Sequence, residues 1–86
     1  MDRIKLSIVT PNGTAFEKDV AYVNIPTDFG SLGILADHAP MVCSVKKGIL
    51  RCRTESGEEL RLLISDGVAS IDENEVTLLV SAAELP

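Results

Sequence analysis

Ile49-Leu50-Arg51-Cys52-Arg53-Thr54, then Glu55-Ser56-Gly57, then Leu60-Arg61-Leu62-Leu63-Ile64, reads as a hairpin. Side chains on an extended chain point alternately to opposite faces. Leu50 and Cys52 therefore face one way and Arg51 and Arg53 the other, and Leu60, Leu62 and Ile64 return along the neighbour. Glu55-Ser56-Gly57 supplies the loop, where glycine meets the backbone demands of a reversal. Pairing across the two runs is expected between the arginines and Glu58 or Glu59, each pair contributing a few tenths of a kcal/mol.

The same alternation extends in both directions. Ile4, Leu6 and Ile8 alternate with Arg3, Lys5 and Ser7 until Pro11-Asn12-Gly13 breaks the run. A second run puts Ala21, Val23 and Ile25 on one face and Val20, Tyr22 and Asn24 on the other, and Pro26 closes it. Val20 and Tyr22 lie on the face that should be polar, which predicts a second apolar contact surface there. Met41 to Val45 reads as a short apolar strand, followed by a turn at Lys46-Lys47-Gly48. Beyond the central hairpin come a turn at Asp66-Gly67, a strand from Val68 to Ile71 and a turn at Asp72-Glu73-Asn74. Val76, Leu78 and Val80 then alternate with Glu75, Thr77 and Ser81. Ala82-Ala83-Glu84-Leu85 has the composition of a helix start, and Pro86 stops it. Turns at this spacing indicate an antiparallel sandwich or barrel.

Composition bounds the function. The 86 residues make one domain, 1–86, with 45% apolar content and no repeat, linker or low-complexity segment. One Tyr, two Phe and no Trp leave an aliphatic core of Ile, Val and Leu, which suit pleated surfaces. The net charge is −5, and the eight Lys and Arg are scattered, so the basic stripe that a nucleic-acid backbone requires is missing. No apolar run approaches the roughly 18 residues of a membrane span. The opening Arg3-Ile4-Lys5 already alternates like a strand, so neither a signal nor a transit peptide is expected, and a reducing, cytosol-facing compartment is. Cys43 and Cys52 form no CxxC and stand at apolar strand positions, which predicts buried free thiols.

The segment Ser31-Leu32-Gly33-Ile34-Leu35-Ala36-Asp37-His38-Ala39-Pro40-Met41 departs from this pattern and reads as a glycine- and proline-bounded loop. Asp37 beside His38, the only histidine, raises the alternative of a small ligand-binding module or enzyme centred on that pair. Consecutive residues of an extended segment point in different directions, however, so adjacency does not orient the imidazole. No serine lies in a G-x-S-x-G elbow, one histidine with scattered carboxylates is no metal ligand set, and Asp72-Glu73-Asn74-Glu75 lacks calcium-loop spacing. The isolated glycines open no phosphate cradle. The reading is therefore no catalytic residue, no metal and no cofactor. What remains is docking: apolar residues in such a loop must be covered, either by the end of the sandwich or by another protein. Ile34 and Leu35 fit either fate, whereas Phe29, Leu32 and Met41 are expected to be exposed.

At this point the residues resemble a known family. Gly33-Ile34-Leu35-Ala36-Asp37-His38-Ala39-Pro40-Met41 resembles the G-I-L-P-G-H-A-P-L signature of the epsilon subunit of F-type ATP synthases. Leu6-Ser7-Ile8-Val9-Thr10-Pro11 is similar to its first strand and turn, and Lys47-Gly48-Ile49-Leu50-Arg51 to its P-G-x-L-R-I. Ser65-Asp66-Gly67-Val68 is similar to S-G-G-F-x-E-V, and Asn74-Glu75-Val76-Thr77-Leu78-Leu79 to N-x-V-T-V-L. Order and spacing agree over essentially the whole chain.

The resemblance implies a flattened β-sandwich of about ten short strands. It implies a place at the foot of the rotating central stalk, between the gamma subunit and the polar loops of the membrane-embedded c-ring. That place is at the cytoplasmic face of a bacterial plasma membrane, with no insertion into the bilayer. In the family this domain performs no chemistry; it grips gamma and the ring so that torque passes between ion translocation and nucleotide synthesis. By the same resemblance His38, Ala39, Pro40 and Met41 match the segment against gamma, and Asp28, Phe29, Gly30, Ser31 and Leu32 the segment at the c-ring loops. Ala36-Asp37 replaces the usual Pro-Gly, Ser31 stands where an acidic residue is common, and Phe29 is unusual. Family members usually continue into a two-helix C-terminal domain; with the sequence ending at Pro86, no nucleotide site or helix-mediated inhibition carries over.

Overall fold

Alternation becomes strand throughout. The computed structural model describes residues 3–84. In chain order the strands are β1 (Ile4–Thr10), β2 (Gly13–Val20), β3 (Tyr22–Thr27), β4 (Gly30–Leu35) and β5 (Met41–Val45). They continue as β6 (Gly48–Arg53), β7 (Glu59–Ile64), β8 (Gly67–Asp72), β9 (Glu75–Val80) and β10 (Ala83–Glu84). One sheet has the order β2-β1-β9-β8-β5 and the other β10-β7-β6-β3-β4. Their inner faces enclose an aliphatic core that includes Ile4, Leu6, Ile8, Val23, Ile25, Leu50, Leu62, Val76 and Leu78. The expected sandwich of about ten strands is borne out. One pair departs from the antiparallel expectation: β1 runs parallel to β9, with Ile8 in register with Leu78.

Two strands form where the sequence alternation does not announce them. β2 is an edge strand whose residues from Gly13 to Asp19 are exposed except for half-buried Phe16, so no apolar alternation announces it. It is bulged, because Ile8 pairs with Phe16 while Val9 pairs with Thr14. β4 occupies the first half of the supposed loop and pairs in continuous register with β3, from Tyr22 opposite Leu35 to Thr27 opposite Gly30. Ile34 turns into the core and Leu35 out to solvent.

Val20 is corrected as well: it is fully buried, not part of an outer apolar surface. The chain leaves the first sheet at β2 and enters the second at β3, and the corner at Ala21, whose N–H donates to the Arg53 carbonyl at 2.7 Å, resets the parity. Val20 and Val23 can then both face inward. The helix start expected at Ala82–Leu85 is not formed in its described part. Ala83 and Glu84 instead pair with Ile64 and Leu63 as β10, while Leu85 lies outside the described residues.

The central hairpin forms as read. Thr54 closes its loop, the hydroxyl accepting from the Glu58 N–H at 3.1 Å and the carbonyl accepting from the Gly57 N–H at 2.9 Å. The expected arginine–glutamate pairing is met only in register. Arg53 stands opposite Glu59 without an ion pair, and Arg51 stands opposite Arg61. The ion pairs among the described residues lie elsewhere, joining Arg3 to Asp19 and Glu55, and Lys5 to Glu17.

Candidate docking surface

The β3–β4 hairpin turns through Asp28 and Phe29 alone. The Thr27 hydroxyl clasps this two-residue tip, accepting the Phe29 N–H at 3.1 Å and donating to the Gly30 carbonyl. Gly30 closes the turn at φ 108°, a conformation that a Cβ would strain. The consequence is a phenylalanine held in water at 100% exposure, with Asp28 and Ser31 exposed beside it. Of the three apolar residues expected outside, Phe29 and Met41 are exposed, and Leu32 is half-buried against the core.

β4 and β5 are the edge strands of different sheets on the same side of the sandwich. Between them lies an open slot of about 530 Å³ lined by Phe29 and Leu32 from the hairpin and by Met41, Val42 and Cys43 from β5. The residues predicted for two separate contacts, Phe29 and Met41, thus line one groove.

The connection from β4 to β5 carries Asp37 and His38. Asp37 adopts φ 65°, in the left-handed region, at the position where the family pattern has glycine. Its N–H donates to Asn74 Oδ1 at 2.7 Å, and the Asn74 carbonyl accepts the Lys5 N–H at 2.9 Å. Asn74 therefore ties this connection to the β8–β9 turn and to β1. The turn expected at Asp72-Glu73-Asn74 thus also has a structural role. His38 is half-buried, and its Nδ1–H donates to the Ala39 carbonyl at 2.7 Å, while Ala39 and Pro40 are exposed. No hydrogen bond joins the Asp37 carboxylate to the imidazole, so the pair is not a catalytic dyad in geometry. No group of three His, Cys, Asp or Glu among the described residues is placed to hold a metal.

A further apolar surface escaped the sequence reading. On the outer face of the first sheet, Ser44, Val68, Leu79, Val9 and Thr14 stand in one cross-strand row. Leu79 is 51% and Val68 43% exposed, and Val42, on the same face of β5, is 72% exposed. The signal was present: with Val76, Leu78 and Val80 inward, Leu79 has to point outward.

The thiols contribute no reactive site. Cys52 is buried and Cys43 half-buried at the slot, so the expectation holds fully for Cys52 and partly for Cys43. Burial pushes both thiols above their usual range, with nearby Lys18 partly opposing the shift at Cys52.

Comparison with known proteins gives a consistent answer. The profile of the family described as "ATP synthase, Delta/Epsilon chain, beta-sandwich domain" matches residues 3–86. The ATP synthase epsilon chain of Gloeobacter violaceus is 38% identical over 82 residues, covering 95% of this chain and 61% of that protein. That of Sulfurovum is 36% identical over 83 residues, covering 96% of this chain and 65% of that protein. The chain thus spans about three fifths of the length of such curated relatives. A chain in the cryo-EM structure of Euglena gracilis mitochondrial ATP synthase, OSCP/F1/c-ring in rotational state 1, superposes with a TM-score of 0.90 at 27% identity. The match covers 96% of this chain and 53% of that one. The sequence therefore belongs to the ATP synthase delta/epsilon chain family, and its two five-stranded sheets are that family's β-sandwich domain.

Proposed function

We propose that this β-sandwich is the docking part of a central-stalk subunit of an F-type ATP synthase. It grips the gamma subunit and the polar loops of the c-ring so that torque passes between ion translocation and ATP synthesis, and it performs no chemistry itself. The observation that carries the reading is the placement of Phe29, fully exposed at a clasped tip beside the apolar slot. A water-exposed aromatic held by a rigid turn has already met part of the ordering cost of binding and suits a partner pocket. Asp28, Gly30, Ser31 and Leu32 complete the proposed c-ring contact. The gamma contact takes His38, Ala39, Pro40 and Met41 and extends over Val42 to the row Val68–Leu79–Val9. The family membership and the description of the Euglena assembly, which contains F1 and a c-ring, support the same placement. No described helix is long and apolar enough to cross a membrane. The site of action is peripheral, at the cytoplasmic face of the bacterial plasma membrane.

The test is co-purification with gamma and with the c-ring. Phe29→Asp is expected to weaken c-ring association by about 2 kcal/mol, roughly thirtyfold, as for a central aromatic anchor. Val42→Asp is expected to weaken gamma association, and both variants should keep the wild-type circular dichroism spectrum. Undiminished association of both folded variants would sink the assignment.

A further inference from the structure

The chain has three asparagines, Asn12, Asn24 and Asn74, and Asn12 alone is followed by glycine. An asparagine side chain closes a five-membered ring when the backbone nitrogen of the next residue attacks its Cγ, and a side chain on that next residue obstructs the approach. Gly13 carries none, and a Cβ built there would meet nothing within 4 Å. Ile25, which follows Asn24, is β-branched and fully buried, and the Asn24 amide donates to the Tyr22 hydroxyl at 3.2 Å. The Asn74 side chain is also engaged, accepting the Asp37 N–H at 2.7 Å, and Glu75 follows it in β9.

Asn12 stands at the tip of the β1–β2 hairpin, which turns through Pro11 and Asn12 between the paired residues Thr10 and Gly13. Pro11, Asn12 and Gly13 are all exposed, and among the described residues no hydrogen bond engages the Asn12 side-chain amide. The Thr10 hydroxyl holds the tip, accepting the Asn12 N–H and donating to the Gly13 carbonyl, both at 3.2 Å. These are long bonds at the end of an edge strand, so the turn opens locally with little loss. Behind the tip lies the bulge between Ile8 and Val9, and beyond it Ile8, fully buried, pairs with Phe16, which packs on the core.

We propose that Asn12 is a self-modification site, which converts in the folded protein to isoaspartate through a cyclic imide. When the tip opens, the Gly13 nitrogen forms a bond to Asn12 Cγ, and the side-chain nitrogen leaves as ammonia with the proton that Gly13 gives up. Water then opens the ring. Breaking the bond between Gly13 N and the backbone carbonyl carbon of Asn12 gives isoaspartate, and breaking the new bond to Cγ gives aspartate. The balance is one water taken up and one ammonia released, with no oxidation. Either product adds a carboxylate to a chain of net charge −5. Isoaspartate also routes the main chain through the Asn12 Cβ, one methylene longer, so a two-residue turn no longer keeps Thr10 opposite Gly13. The loosening stops at the buried Ile8–Phe16 pair. This chemistry is independent of the contacts proposed for gamma and the c-ring, and so is its test.

The experiment incubates the folded protein in mildly alkaline buffer beside a urea-unfolded sample, then maps both by proteolysis and mass spectrometry. In the folded protein Asn12 should gain about 1 Da, the exchange of an NH for an oxygen, and do so at least about tenfold faster than Asn24 or Asn74. The product should resist a protease that cleaves beside aspartate, as isoaspartate does. Asn12→Gln, whose longer side chain would have to close a less favourable six-membered ring, should show no gain at that position. Amides between Thr10 and Thr14 should exchange with solvent faster in the isoaspartate form, separated by anion exchange, while those from Leu6 to Ile8 stay unchanged. Freshly prepared Asn12→Asp should exchange like the wild type, since it adds the charge without the extra methylene. The proposal is overturned if folded Asn12 stays intact while the unfolded sample converts, or if Asn24 or Asn74 reacts as fast. It is equally overturned if the product is aspartate alone, or if exchange between Thr10 and Thr14 does not change in the isoaspartate form.

Discussion

Asp37 is a non-glycine residue at φ 65°, and its neighbours show why the strain is tolerated. Aspartate is among the few side chains that visit the left-handed region readily, and the bond from its N–H to Asn74 Oδ1 at 2.7 Å holds the turn. Asp37→Ala should therefore lower stability by about 1 kcal/mol, whereas Asp37→Gly should match or slightly exceed the wild type. Urea unfolding of the two variants decides this, and equal losses would show that backbone conformation is not what selects the residue. Asn74 has a larger role, since its side chain anchors Asp37, its carbonyl receives the Lys5 N–H, and its own φ is 45°. Asn74→Gly keeps the backbone but loses the side-chain acceptor, at about 1 kcal/mol, and Asn74→Ala adds strain to reach about 2 kcal/mol. Either loss should also increase hydrogen exchange at Asp37 and His38. Unchanged exchange there would mean that Asn74 does not position the proposed gamma segment.

At the scale of elements, what the sequence disclosed depended on whether a strand has one face in water and one in the core. β6, β7 and β9 do, and Leu50, Leu62 and Leu78 announced them. β2 runs along an edge with Glu17, Lys18 and Asp19 all exposed, so its pairing comes from the partner strand and not from its own pattern. β4 was hidden differently: its inward positions are Leu32 and Ile34, but Gly33 and an outward Leu35 broke the expected polar alternation. Part of the candidate site was legible for the same reason. Phe29 and Met41 are expected outside because they lie at the flanks of the glycine- and proline-bounded segment, whereas the slot between β4 and β5 depends on which edges of the two sheets meet. Strand crowding yields a prediction at Gly67, the first residue of β8. A Cβ there would stand 2.0 Å from the Leu79 carbonyl oxygen and 2.9 Å from the Val80 Cα, both backbone atoms that cannot swing aside. Gly67→Ala should separate β8 from β9 locally at about 3 kcal/mol, read from the urea midpoint. A loss under about 0.5 kcal/mol, the range of a neutral surface change, would refute that crowding.

Across the whole molecule, the chain passes repeatedly from one sheet to the other, so each sheet is assembled from distant segments. β9 sits at the middle of the first sheet, parallel to β1 and antiparallel to β8, and its two faces serve different ends. Leu78 is fully buried between Ile8 and Ala69 in register, while Leu79, the next residue, stands half in water between Val9 and Val68. A strand of period two thus places a stabilising residue and a proposed docking residue side by side in sequence. Leu78→Ala should cost about 2–5 kcal/mol, because Ala69 is too small to fill the space, yet it should leave gamma association intact wherever the protein remains folded. Leu79→Ser should do the reverse, changing stability by no more than about 0.5 kcal/mol while weakening gamma association. Urea unfolding and gamma co-purification on the same two variants measure both quantities. If Leu79→Ser unfolds the domain, or leaves gamma association untouched, then the outer row is only a bare face of the sheet, and the grip on gamma rests with His38 to Val42 alone.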